Sequence, residues 1–186
     1  MYSGVGRIFS IYWKAYGGLK ALVRSFYLHL AIILLAGTFN TWTQPNWWDT
    51  VVGVLPNLLG FTLGGFAIFI GFGDERFRAL LADAEDAPEQ PTIYVQLCST
   101  FVHFIVIQVV ALAFALVAKS WWFYAEWIEP VREFLPMLNG MAGAIGFGLF
   151  LYSVTSILAA TMHVFRIANM YEQHRRAVDL EDKQQP

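Results

Sequence analysis

Charge is what this sequence has least of. Only 14% of its 186 residues are Asp, Glu, Lys or Arg, while 57% are apolar, which leaves too little polar surface to coat a water-soluble globule of that size. The net charge of −2 excludes the basic surface that displaces counterions from nucleic acid, so no direct nucleic-acid contact is expected. The one cysteine, Cys98, cannot close an internal disulfide and has no CxxC or histidine neighbour at metal-binding spacing. Catalytic signatures are missing too: no HExxH, no GxSxG, no Walker loop, and no GxGxxG after a strand pattern. Neither an enzyme activity nor a metal or other cofactor is therefore expected.

What is present is apolar sequence in spanning lengths. Four runs, 26–43, 51–72, 97–118 and 137–164, approach the roughly 20 residues that carry a helix across the hydrocarbon core. No Asp or Glu falls in any of them, which removes the buried acid or base that intramembrane catalysis needs. The predicted class is an all-α integral membrane protein of four transmembrane helices in two hairpins. The first run could pass for a signal peptide, but a long stretch precedes it, no A-x-A site follows it, and three further runs come after.

Positive charge sets the expected orientation, because Lys and Arg near short loops stay on the cytoplasmic face. Ten of the twelve, including Arg7, Lys14, Arg76, Arg166, Arg175 and Arg176, share the side of the termini; only Lys119 and Arg132 lie opposite. Both termini and the 74–92 loop are thus expected on the cytoplasmic side. Trp42, Trp47, Trp48, Trp121, Trp122 and Trp127 fall in the two external loops, where indoles favour the headgroup layer.

The domain plan has three parts. Residues 1–18 read as an interfacial N-terminal helix, with Ile8, Phe9, Tyr12, Trp13 and Tyr16 beside Arg7 and Lys14, and with Gly17 and Gly18 as a bend. Residues 19–174 form the transmembrane domain, with a second interfacial stretch in the external loop from Trp121, and 175–186 a cytoplasmic tail read as a frayed helix end. Within the 74–92 loop, Asp83, Glu85, Asp86 and Glu89 form an acidic run. It reads as a solvated turn or, with Arg175 and Arg176, as a docking surface for a cytoplasmic effector.

Small residues organise the second and fourth runs. Gly60, Gly64, Ala67 and Gly71 recur at i, i+4, i+7 and i+11, a bare stripe suited to close helix contact in lipid, and Gly140, Ala144 and Gly148 repeat the theme. LPNLLG at 55–60 and LPMLNG at 135–140 share an LPxLxG pattern, which suggests either a duplicated two-helix unit or chance likeness. Their prolines are expected in first turns, where no hydrogen bond is lost. Whether the small faces meet within one chain or between copies is open; a homo-oligomer is expected.

Ionisable and polar residues at membrane depth are functional candidates by default. Asn57, Thr100, His103, His163 and Arg166 are the candidate polar gate or vestibule, with His29, Gln96, Gln108 and Thr62 nearby in sequence. Each histidine also has a plainer reading, as a group bonded to a carbonyl or reaching the headgroups.

The segment LLGFTLGGFAIFIGFGDERFRALL (58–81), with the four-run layout and the acidic loop, resembles small four-span membrane proteins of prokaryotic anti-phage defence islands, most of all the membrane component of the Kiwa system. That resemblance implies an inner-membrane sensor of phage attack working with a separate DNA-binding effector. Three functions are expected in order: an oligomeric sensor or scaffold coupling a membrane event to a cytoplasmic partner, a small ion channel or pore, and an assembly subunit of a larger membrane complex.

Overall fold

The structure, a computed structural model, describes residues 2–71, 73, 75–82, 90–122 and 133–184, and among them regular structure is helical throughout. The acidic run Asp83, Glu85, Asp86 and Glu89, as well as Trp127 and Arg132, lies outside the described residues.

The chain opens with α1 (Tyr2–Tyr16) and α2 (Gly18–Val23). Gly17 and Gly18 separate them with φ of 98° and 63°, a left-handed pair that a side chain would strain, so the chain turns sharply here. α3 (Phe26–Gly37) follows and then α4 (Phe39–Trp42).

The first expected span, 26–43, is thus not one helix. The Thr38 hydroxyl donates to the carbonyls of Leu34 and Leu35 at 2.8 and 3.3 Å, a local bond that competes with the helix beside Gly37. At about 1.5 Å per residue, α3 alone reaches only about 18 Å of a hydrocarbon core about 30 Å thick.

Three helices are long and apolar enough to cross a membrane: α5 (Trp47–Gly71), α7 (Ile93–Ser120) and α8 (Leu135–Gln184). The short α6 (Glu75–Ala82) lies between α5 and α7, after a turn in which Gly73 takes φ 86°. α8 continues unbroken through Arg175 to Gln184, so the expected fray is helix instead. α5 starts earlier than expected, which puts Pro56 in the helix interior and not in its first turn. Pro136 does occupy the first turn of α8.

Side-chain contacts fix the helix directions. Asp49 meets Lys119 at 2.8 Å and Phe69 stacks with Tyr94, so α5 and α7 run antiparallel. Phe114 lies beside Gly146 and His103 beside Tyr152, so α7 and α8 are antiparallel as well. α3 packs on α8, where the Thr155 hydroxyl donates to the Tyr27 carbonyl at 2.9 Å.

Two apolar clusters fill the bundle. The larger, around Trp47, Trp48, Val51, Leu55, Ala111, Ala115, Phe147 and Phe150, occupies the Asp49 end. The smaller, Phe69, Phe77, Leu81, Leu97, Phe101 and Ile167, closes the opposite end and pins α6 to α7 and α8. Trp47 and Trp48 were expected among the headgroups. They are instead only 1% and 3% exposed, because the first turn of α5 tucks beneath Trp122 and against α8.

Candidate functional site

His103 is the most heavily partnered polar side chain among the described residues, and its partners come from three elements. It stands on α7 at 1% exposure. Its Nδ1 lies 2.8 Å from the Tyr12 hydroxyl of α1, and its Nε2 lies 3.1 Å from the Tyr152 hydroxyl of α8. The Tyr16 ring stacks on the imidazole at 3.9 Å between centroids with 17° between planes. Trp13 and Phe104 complete the enclosure at 6.3 and 6.2 Å. The Tyr16 and Tyr152 hydroxyls approach to 3.4 Å, which returns the chain of polar contacts to α1.

Helical spacing explains the assembly. Tyr12 and Tyr16 are i and i+4 on α1, one above the other on one face, and Ala15 beside them is small enough to let α1 close on α7. The part of α1 that precedes Tyr12 exposes Val5, Ile8, Phe9 and Ile11. A helix with aromatic contacts to a bundle at one end and bare apolar residues toward the other suits the bilayer interface.

The cluster ties α1, α7 and α8 together through one side chain. A neutral imidazole donates at one nitrogen and accepts at the other, so one tyrosine hydroxyl accepts a hydrogen bond from the ring and the other donates one to it. Burial pushes the Tyr12 hydroxyl up to about 12, with nearby Tyr16 adding to the effect. Tyr16 is raised as well, chiefly by burial. Both phenols therefore stay neutral at physiological pH. Among the described residues no group of three His, Cys, Asp or Glu side chains could hold a metal.

The other expected gate residues do not gather here. Thr100 donates its hydroxyl to the Gln96 carbonyl at 3.0 Å within α7. His163 is half-buried with Nδ1 3.0 Å from the Ala159 carbonyl, and Arg166 is exposed. His163 lies eleven positions beyond Tyr152, about 16 Å along α8. Asn57 is exposed on α5. Gln108, on another face of α7, instead donates to the Thr62 hydroxyl at 3.0 Å, and that hydroxyl donates on to the Leu58 carbonyl at 2.9 Å. This buried polar link between α5 and α7 leaves the Gln108 Oε1 without a partner.

The small residues divide sharply. Gly60, Gly64, Ala67 and Gly71 are all exposed, and a Cβ added at any of the three glycines meets nothing within 4 Å. Gly140 is equally open, Ala144 is half-buried, and Gly148 faces Leu35 at 3.4 Å. The tight helix contact belongs to Gly143 and Gly146, where a Cβ would run into the Trp42 carbonyl and the Trp47 ring. Sequence spacing chose the i+4 partners of Gly140. Gly143 and Gly146 stand three and six positions on and face inward. The tyrosines were missed because two of the three lie outside the spans, and only their i, i+4 spacing on an aromatic-rich helix hinted at a shared face.

Of the expected docking residues, Arg176 pairs with Glu172 one turn away, and Arg175 is exposed. Compared with known proteins, the chain matches no family model, no curated protein and no solved structure.

Proposed function

We propose that the chain is a non-enzymatic membrane sensor or scaffold in which interfacial helix α1 is latched to the transmembrane bundle through His103, so that a disturbance of the bilayer is felt at the Tyr12–His103–Tyr152 junction. The observation that carries this reading is the junction itself: one buried imidazole bonded at both nitrogens to two different helices, one of them with exposed apolar residues in its first half. Hydrogen bonds are directional and break over short distances, so a small shift of α1 converts smoothly varying membrane forces into a discrete loss of contacts.

In this reading α3 and α4 complete a fourth crossing as a broken helix, tolerated because α3 is packed on α8. Four crossings place both termini in the cytoplasm, as the excess of Lys and Arg on that side supports. The outward stripe of Gly60, Gly64, Ala67 and Gly71 then contacts a second copy, since close approach of small-faced helices is the main source of association in lipid. The resemblance to defence-island membrane proteins makes phage attack on a prokaryotic inner membrane the disturbance and a cytoplasmic effector the recipient.

Spin labels at Lys14 and Val95, in a Cys98→Ser background, test the latch in vesicles. Thinning the bilayer with short-chain lipid is expected to lengthen the distance between them. A distance indifferent to bilayer thickness would contradict the sensor reading.

A further inference from the structure

A second polar cluster lies apart from the His103 latch. α6 and the far part of α8 enclose a pocket of about 190 Å³ lined by Arg76, His174, Arg175, Val178 and Asp179. Its walls are held by apolar contacts: Phe77, 1% exposed, sits edge-on to Tyr171 at 5.1 Å and lies 5.8 Å from the His174 ring. Two arginines therefore line one cavity from two different helices.

Neither has a carboxylate partner among the described residues. Among the described residues the ion pairs are Lys119 with Asp49 and Arg176 with Glu172, and neither Arg76 nor Arg175 takes part in one. Among the described residues Asp179 is the single carboxylate in the lining, against two permanent positive charges. The planar donors of Arg match the oxygens of phosphate, and two of them converging from separate elements fix its position as well as its charge.

Depth decides where such an anion comes from. His174 lies ten positions past Val164, the sequence limit of the last apolar run, which is about 15 Å along the helix. The headgroup layer extends only about 5–8 Å beyond the hydrocarbon. Arg76, four positions past residue 72 where the second run ends, brings the other wall to the outer limit of the headgroup layer, so the pocket opens toward water. Asp179 offers an acceptor that the phosphate dianion of an ester, which has no O–H, cannot use but that a hydroxyl or amino group elsewhere on the same molecule can.

We propose that the Arg76–Arg175 pocket binds the phosphate group of a small water-borne phosphate ester, of the nucleotide or sugar-phosphate class, at the non-membrane end of α8. The site stands on its own geometry and does not depend on the His103 latch.

The test is calorimetric titration of the full chain in phosphatidylcholine nanodiscs with adenosine monophosphate and, separately, inorganic phosphate. Saturable binding is expected for both, tighter for the nucleotide. Arg76→Ala and Arg175→Ala should each weaken it at least about tenfold, the order expected for a lost charge-assisted bond. Arg175→Lys should weaken it too, because it keeps the charge and loses the fork. Arg176→Ala should change nothing. Asp179→Asn should narrow the preference for the nucleotide. Thermal unfolding of each variant, unchanged from the parent, shows that the fold is intact. Absence of saturable heat with both probes would overturn the proposal, as would full binding by an Arg76→Ala, Arg175→Ala double variant. Loss of nucleotide binding when phosphatidylglycerol is added to the disc would assign the pocket to lipid headgroups and overturn the water-borne source.

Discussion

At the Asp49 end of the bundle, Trp47 lies against Gly143, Gly146 and Phe114 with its indole nitrogen making no hydrogen bond. Toward the other end, His103 is bonded at both ring nitrogens to tyrosines on two other helices. The first contact is fixed by shape. It tolerates no added carbon, because the ring and the glycine backbone already touch, and close-packed interiors relax little. The second is fixed by direction. Its groups can part without leaving a void in the main core, because α1 lies on the outside of the bundle. A rigid end and a separable end are what a sensor requires, and the mutations below are chosen to make the two ends behave alike if that division is wrong.

The largest effect is expected at the rigid end. Gly146→Leu drives a side chain into Trp47 and should prevent recovery of folded protein from detergent, while Gly146→Ala should cost about 1–3 kcal/mol in SDS-induced unfolding. Gly64→Leu is the matching control, since its added carbons enter open space. We expect unfolding of the chain to be unchanged, with any oligomer lost on a native gel. Equal destabilisation by Gly146→Ala and Gly64→Leu would erase the distinction between packed and outward glycines.

Next comes the separable end. His103→Leu takes away the partner that the Tyr12 and Tyr152 hydroxyls share and leaves Tyr152 only its contact with Tyr16, at a cost of about 1–3 kcal/mol. The loss should appear as protease sensitivity within residues 7–16 before any change in the unfolding of α5, α7 and α8. Simultaneous loss of all helices would mean that α1 is part of the core.

A smaller effect follows from pH. The Tyr12 hydroxyl is raised from 10.0 to about 12 by burial, so the undocked chain loses this proton first. Docking of α1 is therefore complete below pH about 10 and falls as pH rises toward 12, because the undocked form binds fewer protons there. Tyr12→Phe should flatten this alkaline decline in Trp13 fluorescence. A decline of the same steepness in the variant would trace it to other groups.

The smallest change is expected for Lys119→Met. Its pair with Asp49 is solvent-exposed on both sides, and exposed pairs contribute about 0–1 kcal/mol.

Much of the architecture could be read from composition and period. The all-helical class, the α5, α7 and α8 spans and a glycine bend after the N-terminal helix follow from apolar length and from Gly17 and Gly18. The break in the first run was not legible, since hydropathy cannot see Thr38 bonding back to Leu34. Tryptophan placement misled for a related reason: an indole suits both a headgroup and a groove, and only the glycines at 143 and 146 provide the groove. Of the candidate site, His103 was visible as a rare titratable group at membrane depth. Its partners Tyr12 and Tyr152 lie 91 and 49 positions away, a pairing that no local pattern encodes.

The central claim is that His103 holds α1 to the bundle, and amide hydrogen exchange of residues 7–16 in lipid nanodiscs measures it most directly. The account predicts slow exchange in the parent chain and fast exchange in His103→Leu, with α5 and the transmembrane part of α8 unchanged. Equal protection of α1 in the two proteins would contradict it.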